Sequence, residues 1–539
     1  MDYGNGGRQS DSDKEEQFVK TPLTPLALAD RAFKYYDRRL AILDGEYQDT
    51  YGSWAKRIFR LARALKAAGV REGDRVATLM PNTRYMLDMF YAVPWIGGIL
   101  VPLNTRLVSE DYGYILAHSG ASILVVDSNL WPAVESLGDR LPEVWITGSR
   151  IEGYPDYDRL LQEYSDEPIA LPEINEDDTM TLNYTSGTTA RPKGVELTHR
   201  NLLINAMDFA YHLNVGIGDV YLHTLPMFHA NGWGGVWAVS GVGGVHVTLP
   251  KVEGNIIWEL IRRHGVSRMC GAPAVLNMIL QTAKTQEVTK PLRVATAGAP
   301  PPAAIIERME SLGFQVLHVY GLTEVSPFIT VSEWIPEEKS DLVENRAQRS
   351  AYQGVAQILA GEVRVVRPDG HDVEENGQDM GEIICRGNVV MKGYYRQPEE
   401  TAKAIRNGWF HTGDLAVVHD DHYIEIRDRE KDVIISGGEN ISSVEVESVL
   451  FRHPSVQDAA AIGVPHQKWG ETVKAIVVAK PGLTPTEAEI IAFCRDNMAH
   501  FKAPTSVDFV TELPRTASGK VQKFVLREPY WAERVKRIN

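Results

Sequence analysis

Apolar positions along the first part of the chain follow two spacings, one helical and one typical of buried strands. Apolar residues at helical spacing between positions 54 and 65 share one face of a predicted helix, and Gly69 follows as a typical helix stop. Short apolar runs at 75–79 and 123–126 predict buried strands, with a helix at 84–95 between them. Strand–helix–strand alternation indicates a mostly parallel sheet with helices on its faces. The residues of the first helical face are Trp54, Ile58, Leu61, Ala62 and Leu65.

The pattern changes near residue 423. A strand at 423–426 runs into the charged segment 427–432, and a second strand at 433–435 follows. A charged connection between two strands suits a hinge between domains, and an exposed hairpin is the alternative. Beyond it, the pattern predicts a further group of helices and strands, at 444–451, 459–464, 473–478 and 487–497.

Length and spacing together predict an α/β protein with a large multi-subdomain N-terminal α/β region and a small mobile C-terminal α+β domain. The 539 residues exceed the roughly 250–300 at which a single core stops growing. The first twenty residues are polar and acidic, so we expect a disordered leader at 1–20. We expect the large domain at 21–430 and the small domain at 431–539.

Charge and composition exclude some classes of protein. The formal net charge of −15 disfavours binding to nucleic-acid phosphates. No apolar run reaches the roughly 18 residues that a membrane-spanning helix needs. Cys270, Cys385 and Cys494 form no close pair, which argues against a metal knuckle or a disulfide framework. We expect a cytoplasmic protein.

Hydroxyl side chains, glycines and one lysine are concentrated between Tyr184 and Gly194. Small residues let backbone N–H groups approach an anion, hydroxyls add donors, and a lysine adds a point charge. This composition predicts a phosphate-binding loop after the run at 180–183. In a Walker loop the lysine precedes Ser or Thr, whereas Lys193 precedes Gly194, so a Walker-type ATPase is disfavoured.

This loop resembles the phosphate-binding signature of the adenylate-forming superfamily, which includes acyl-CoA synthetases, firefly-type luciferases and the adenylation domains of peptide synthetases. Ala190 stands where that signature usually has glycine, and alanine tolerates left-handed backbone angles poorly. The resemblance implies that the loop binds the phosphates of ATP and that its first threonine also contacts the metal. The implied residues are Thr185, Ser186, Gly187, Thr188, Thr189 and Lys193.

Further matches to the superfamily follow in its order. The segment 320–324, Tyr-Gly-Leu-Thr-Glu, resembles the motif whose glutamate, here Glu324, holds Mg²⁺. Carboxylate and phosphate oxygens are the ligands that this cation prefers. The segment 412–414, Thr-Gly-Asp, resembles the motif whose aspartate accepts hydrogen bonds from the ribose. The implied nucleotide contacts are Gly298, Ala299, Pro300, His318, Tyr320, Gly321, Thr323, Asp414 and Arg429.

The remaining matches lie in the predicted small domain. Lys431 matches the hinge about which that domain swings, and Gly437 and Gly438 resemble the loop that then faces the thiol. The segment 514–520, Pro-Arg-Thr-Ala-Ser-Gly-Lys, resembles the catalytic-lysine motif. Its lysine would bridge the substrate carboxylate and the α-phosphate, and fixed positive charge there stabilises the transition state. The implied catalytic residues are Lys520, Glu324, Thr185 and Lys431.

The segment 226–233, Pro-Met-Phe-His-Ala-Asn-Gly-Trp, matches a region that lines the acyl pocket in the superfamily. Amino-acid-activating domains usually place an aspartate there, whereas this chain has a histidine and apolar neighbours. An unsubstituted or lightly substituted organic acid is therefore favoured. Three roles are open for Trp233. It closes the pocket on a short acyl chain, it acts as a gate that opens for a long acyl chain, or it belongs to the protein core. The implied acyl-pocket residues are His229, Trp233, Gly298 and Gly321.

The resemblance implies an AMP-forming acid–CoA ligase that first makes an acyl-adenylate and then transfers the acyl group to coenzyme A. Its acid would be a short-chain, medium-chain or fatty acid; an aryl acid such as cinnamate, or a carrier protein in place of CoA, are the alternatives. A luciferase-like oxygenase and a non-catalytic binding protein are the rivals, and intact Glu324, Asp414 and Lys520 argue against the latter. The implied ligands are ATP, Mg²⁺, CoA and the acid, and relatives include monomers and homodimers.

Overall fold

The computed structural model describes residues 20–185, 191–283, 288–298, 301–333, 349–429, 431–436, 439–515 and 521–535. In this part of the chain, two mostly parallel sheets and an antiparallel sheet precede a fourth, five-stranded sheet near the C-terminus. The predicted α/β class, with a large N-terminal region and a small C-terminal domain, is confirmed. The domain limits stay predictions, and the leader expected at 1–20 lies outside the described residues except for Lys20.

The first sheet is parallel in its centre and antiparallel at its ends. It consists of β1 (Leu40–Asp44), β2 (Tyr47–Thr50), β9 (Val220–Leu222), β10 (Val245–Val247), β11 (Arg268–Cys270), β12 (Leu292–Thr296), β13 (Phe314–Tyr320), β14 (Thr330–Val331) and β15 (Val355–Ala356). The strand order is β15-β14-β13-β12-β11-β9-β10-β1-β2. Pairing is parallel from β13 to β1 and antiparallel for β1–β2, β13–β14 and β14–β15.

The second sheet contains both strands predicted near the N-terminus. It consists of β3 (Arg75–Leu79), β4 (Ile99–Pro102), β5 (Ile123–Asp127), β6 (Glu143–Thr147), β7 (Thr179–Thr185), β8 (Lys193–Thr198) and β18 (Gly393–Tyr394). The order is β18-β8-β7-β4-β3-β5-β6, parallel from β7 to β6. β8 turns back antiparallel to β7, so the two ends of the predicted phosphate loop lie side by side.

Helices cover the faces of these two sheets. They are α1 (Pro25–Tyr35), α2 (Tyr51–Ala67), α3 (Arg84–Trp95), α4 (Ser109–Ser119), α5 (Tyr157–Gln162), α6 (His199–His212), α7 (Gly235–Val242), α8 (Gly254–His264), α9 (Pro273–Thr282) and α10 (Ala303–Ser311). One core, with residues from α1, α2, α3, α6 and α7, lies between the sheets. Separate cores pack α8–α10 on the far face of the first sheet and α4 on the far face of the second.

Local sequence explains why α2 forms where it does. Thr50 and Ser53 form a capping box that satisfies the free N–H groups at its start. The predicted apolar face, 54-58-61-62-65, is fully buried, and period-3.6 spacing places these residues on one side of the helix. In β5, successive side chains alternate between the two faces of the sheet. Ile123 and Val125 enter the central core, and Leu124 and Val126 enter the outer core.

The third sheet is antiparallel, and only its strand at 423–426 was predicted. It consists of β16 (Glu362–Val366), β17 (Gly381–Arg386), β19 (Ile405–Arg406), β20 (Trp409–Val418) and β21 (Ile424–Arg429), with α11 (Pro398–Ala404) beside it. β20 is the central strand, flanked by β17, β19 and β21. This sheet carries the Thr-Gly-Asp motif on β20.

The fourth sheet belongs to the small domain. It consists of β22 (Ile434–Ser436), β23 (Glu439–Ile441), β24 (Val456–His466), β25 (Gly470–Ala479) and β26 (Ser506–Phe509), with α12 (Ser443–Phe451), α13 (Glu487–Asn497) and α14 (Lys523–Val535). β21 pairs with β20, and β22 pairs with β23 and β25. The exposed-hairpin alternative is therefore wrong, because the two strands around the charged segment join different sheets.

Candidate active site

Three of the predicted nucleotide residues meet around the carboxylate of Asp414 on β20. The hydroxyl of Tyr320, at the end of β13, donates to Asp414 Oδ2 at 2.7 Å. Arg429 lies opposite on β21, with its Nε 3.0 Å from Asp414 Oδ1. Asp414 is 3% exposed, and its charge raises the pKa of Arg429. Burial, followed by the Asp414 charge, also raises the pKa of Tyr320. The cluster is a fixed, charged acceptor for hydroxyl groups.

Glu324 lies in a tight loop that follows β13. Its Oε1 accepts a hydrogen bond from the hydroxyl of Tyr394 on β18 at 2.9 Å. Its carbonyl oxygen accepts from the Met391 N–H at 2.8 Å. A side chain at Gly321 would bring its Cβ within 1.8 Å of the Pro327 carbonyl oxygen, so the loop closes only with glycine there. The carboxylate is thus held from the second sheet as well as the first.

Lys193 and Thr185 lie opposite each other where β8 and β7 pair. The Lys193 ammonium donates to Glu400 Oε2 on α11 at 2.5 Å and lies 4.8 Å from the ring centre of Tyr394. Lys193 and then Lys403 lower the pKa of Glu400 to about 2. The predicted loop residues Ser186, Gly187, Thr188 and Thr189 lie outside the described residues.

These contacts place the predicted residues where three sheets meet. Tyr320 joins the first sheet to Asp414 on the third, and Tyr394 joins the second sheet to the loop of Glu324. Tyr394 and Glu400 were missed from the sequence, because neither belongs to a motif and their partners are 70 and 207 residues away.

His318 and Gly298 border this region on neighbouring strands. His318, on β13, pairs with Thr296, the last residue of β12, and Gly298 follows with a φ of +93°. The His318 Nδ1 lies 2.8 Å from the carbonyl oxygen of Tyr352, which can only accept, so this nitrogen carries the proton. Burial lowers the pKa of His318 to about 4. Ala299 and Pro300 lie outside the described residues.

The predicted acyl-pocket segment forms a left-handed turn between His229 and Gly234. Asn231 holds the turn by donating from Nδ2 to the hydroxyl of Thr181 at 2.8 Å. Trp233 is 4% exposed, and its ring meets Phe328 edge to face at 5.0 Å between centres. Asn231 and Phe328 were not predicted as site residues. Phe328 ends the Glu324 loop, so the acyl region and the candidate metal ligand share one loop.

Lys431, the predicted hinge residue, contacts the last described helix. Arg527 on α14 donates to the Lys431 carbonyl oxygen and to Asp432 Oδ1, each at 2.8 Å. Gly437, Gly438 and Lys520 lie outside the described residues, so their roles stay predictions. Among the described residues, no helix is both long and apolar enough to cross a membrane.

Comparison with known sequences shows the family to which this chain belongs. Residues 28–395 match the family described as AMP-binding enzyme, and residues 445–520 match the AMP-binding enzyme C-terminal domain. This protein belongs to the AMP-binding enzyme family. It is an AMP-forming CoA ligase, which uses ATP to form an acyl-adenylate and transfers the acyl group to CoA.

Curated plant proteins resemble the ligase over nearly its whole length. The probable acyl-activating enzyme 5, peroxisomal, of Arabidopsis thaliana is 43% identical, over 94% of this chain and 96% of its own. A 2-methylpropanoate–CoA ligase of Humulus lupulus is 40% identical, over 94% and 95%. The trans-cinnamate:CoA ligase, peroxisomal, of Petunia hybrida is 38% identical, over 94% of each chain. The resemblance to the adenylate-forming superfamily is confirmed.

Solved structures share the fold of the ligase. An anthranilate CoA ligase in complex with anthranoyl-AMP has a TM-score of 0.85 at 26% identity, over 95% of this chain and 98% of its own. ATP-bound MatB from Rhodopseudomonas palustris has a TM-score of 0.82, and apo MatB one of 0.72. Both MatB structures are 30% identical, over 94% of this chain and 99% of theirs.

Proposed function

We propose that the ligase activates a short- to medium-chain monocarboxylic acid. The contact between Trp233 and Phe328 carries this proposal, because both buried rings close the wall expected to line the acyl pocket. An acid that ends before the two rings fits without moving them, whereas a long chain must separate them. The 2-methylpropanoate specificity named for the Humulus relative supports a short acid.

An aryl acid is the second candidate. The Petunia relative is named for trans-cinnamate, and the anthranilate ligase shares the fold. Aromatic rings pack well edge to face, so the pair of Trp233 and Phe328 would also suit a flat ring. A fatty acid is the third, and it requires Trp233 to act as a gate.

We assign the ribose of ATP to Asp414, supported by Arg429 and Tyr320, and the phosphates to Thr185 and Lys193. A buried carboxylate held between two donors is a strong, oriented acceptor for vicinal hydroxyls. His318 and Gly298 would lie towards the base. Thr323, buried at the start of the Glu324 loop, would face the α-phosphate.

The donors near Glu324 fit Mg²⁺. A carboxylate and a hydroxyl are hard oxygen ligands, and this cation usually takes one or two carboxylates with substrate phosphates and water. The described residues contain no group of three or more acidic, histidine or cysteine side chains that could cage a metal, which agrees with such a shared site. Glu324 and Thr185 would hold the ion, and it would offset phosphate charge as pyrophosphate leaves.

We propose that the two steps use two orientations of the small domain. In the first, Lys520 would bridge the acid and the α-phosphate while the carboxylate attacks, which is mainly a matter of positioning and charge compensation. Rotation about Lys431 would then withdraw Lys520 and bring Gly437 and Gly438 to the thiol. The higher TM-score with ATP-bound than with apo MatB supports assigning the described orientation to adenylation.

The test is pyrophosphate release with Mg·ATP over acetate, butyrate, 2-methylpropanoate, octanoate, palmitate, benzoate and cinnamate, each with and without CoA. We expect the highest kcat/KM with butyrate or 2-methylpropanoate, and acyl-CoA only when CoA is present. A preference for cinnamate would favour the aryl candidate. A preference for palmitate would contradict a closed wall.

Compartment and subunit number are tested separately. We propose a cytoplasmic location, and the peroxisomal names of two relatives make the peroxisome the alternative. Fluorescent fusions at either terminus, imaged against a peroxisomal marker, distinguish the two. Sedimentation at 60.1 kDa would indicate a monomer, and twice that mass a homodimer.

A further inference from the structure

A buried cluster of charges joins the hinge strand to the small domain. Lys523, on α14, lies 2.8 Å from Glu447 Oε1 on α12 and also donates to the hydroxyl of Ser443. The Ser443 N–H donates to Asp428 Oδ2 at 2.5 Å. Asp428 belongs to β21 of the third sheet, whereas the other members belong to the small domain. The cluster therefore bridges the two parts of the molecule.

The cluster contains two acids and one base. Burial raises the pKa of both Asp428 and Glu447, and Lys523 opposes that effect at each. Burial lowers the pKa of Lys523, but Glu447 and Asp428 together raise it further, so the ammonium is retained. If Asp428 is removed, Lys523 and Glu447 remain as a neutral pair within the small domain. The charge balance of that domain thus does not depend on Asp428.

Asp428 and its neighbour Arg429 act on opposite sides of β21. Successive residues of a strand face opposite ways, and Arg429 contacts Asp414 at the nucleotide site while Asp428 contacts Ser443. One strand therefore contacts the nucleotide site with one residue and the small domain with the next. Because the Asp428–Ser443 contact spans residue 431, a large rotation of the small domain about that residue would separate the two partners.

We propose that Asp428, Ser443 and Lys523 form a latch that positions the small domain for adenylation. Asp428 is the positioning residue on the large region, and Lys523 holds the Ser443 hydroxyl from the other side. The inference rests on the proposed assignment of the described orientation to the first step. The latch would favour adenylation and would open before thioester formation.

The first test separates the half-reactions. In Asp428→Ala we expect acid-dependent pyrophosphate release to fall about 10- to 100-fold, the effect of losing one charge-assisted hydrogen bond. Conversion of supplied butyryl-AMP and CoA to butyryl-CoA should stay within a few-fold of wild type. Asp428→Asn retains an acceptor oxygen and should recover part of the loss.

A matched control removes an ion pair that stays within the small domain. Lys474 on β25 lies 2.6 Å from Asp508 on β26, so Lys474→Met disturbs the domain without touching the hinge strand. We expect it to change both half-reactions by the same factor. Equal losses of the two half-reactions in Asp428→Ala would make its effect merely structural and overturn the latch.

The second test does not depend on turnover. Spin labels at Ala67→Cys and Ala492→Cys, both exposed, report the distance between the large region and the small domain, and the native cysteines are buried. With ATP we expect one narrow distance in the labelled parent and a second population in Asp428→Ala. An unshifted distribution would overturn the latch. Absence of acid-dependent pyrophosphate release in the parent would instead contradict the proposed function. The two failures are distinguishable, because the distances are measured without acid.

Discussion

At the scale of single residues, Lys193 is held by protein groups where the phosphates of ATP are expected. Its ammonium contacts Glu400 at 2.5 Å and the ring of Tyr394, whose hydroxyl holds Glu324. Because Lys193 keeps the pKa of Glu400 low, this carboxylate stays charged at neutral pH. If the phosphates bind Lys193 as proposed, ATP exchanges one anion for another there. Glu400 would then keep the lysine oriented before ATP binds.

Gly321 leaves no room for a side chain at this site. A Cβ there would lie 1.8 Å from the Pro327 carbonyl oxygen, so Gly321→Ala must displace the loop that carries Glu324. A displacement of about 1 Å can cost on the order of 100-fold in rate. We expect kcat/KM for pyrophosphate release to fall by that order, with Gly216→Ala as the control because its Cβ meets only Asp219 Oδ2, at 3.8 Å. Wild-type kinetics in Gly321→Ala would contradict this account of the loop.

His318 makes stability depend on pH in a definite direction. Burial lowers its pKa to about 4. As pH falls below about 6.5, His318 therefore binds a proton in the unfolded chain but not in the folded chain. The free energy of unfolding then decreases by up to about 1.4 kcal/mol per pH unit until about pH 4. His318→Gln removes this one contribution, and we expect its melting temperature to fall less than that of wild type between pH 7 and pH 5.

The control for this measurement is His500→Gln, which replaces an exposed imidazole in the small domain. It should lose as much thermal stability as wild type over the same pH range. If His318→Gln also loses as much as wild type, the imidazole of His318 is not the group that titrates.

The sequence allowed prediction of those residues whose role depends on a contiguous motif. Asp414, Glu324 and Lys193 lie in such motifs, and Arg429 was assigned as a single matching position. The structure brings Asp414 and Arg429 together on paired strands. Glu400 could not be predicted, because it contacts Lys193 only through folding and 207 residues separate them. Their roles towards ATP stay predictions until substrates are tested.

At the scale of elements, the turn at 229–234 is the least typical piece of the fold. Ala230, Asn231 and Trp233 have φ values of +35°, +49° and +60°, and each such non-glycine residue costs about 1–2 kcal/mol. The hydrogen bond from Asn231 to Thr181 and the packing of Trp233 on Phe328 offset that cost. The turn therefore fixes the position of Trp233, which would set the depth of the proposed acyl pocket.

Shortening Trp233 should lengthen the acids that the ligase accepts. In Trp233→Ala we expect the ratio of kcat/KM for octanoate to that for butyrate to rise about fourfold for each methylene that enters the vacated space, since one buried methylene contributes about 0.8 kcal/mol. Phe328→Leu should give a smaller change. Trp409→Ala, which alters a half-buried tryptophan of the third sheet, is the control. An unchanged ratio in Trp233→Ala would place the ring in the core rather than at the pocket.

Element prediction from the sequence succeeded where burial repeats with a clear period. The predicted helix 84–95 and strand 75–79 coincide with α3 and β3. In the third sheet only the strand at 423–426 was predicted. β19 could not be, because it has only two residues and gains its order from pairing with β20. The charged segment was also divided wrongly, since Arg427 to Arg429 continue β21 instead of starting the connection.

At the scale of the whole molecule, the candidate site depends on the meeting of three sheets and the hinge. Tyr320, Asp414 and Tyr394 come from different sheets, so no single sheet holds the candidate site alone. β21 connects the candidate site to the small domain. Its Arg429 contacts Asp414 at the site, and the neighbouring Asp428 contacts Ser443 of the small domain. This arrangement explains how one chain could present two sets of groups to one adenylate in turn.

Lys520 gives the sharpest test of that alternation. The family motif implies that its charge acts only while the acid attacks ATP, and loss of such a charge commonly costs about 10²–10³ in rate. Lys520→Ala should therefore lower acid-dependent pyrophosphate release by that factor, while conversion of supplied butyryl-AMP and CoA proceeds at a rate close to wild type. Lys480→Ala, an exposed lysine of the same domain, should leave both unchanged. Equal loss of both half-reactions in Lys520→Ala would mean that one orientation of the small domain serves both steps, since the lysine would then be needed at the same site throughout.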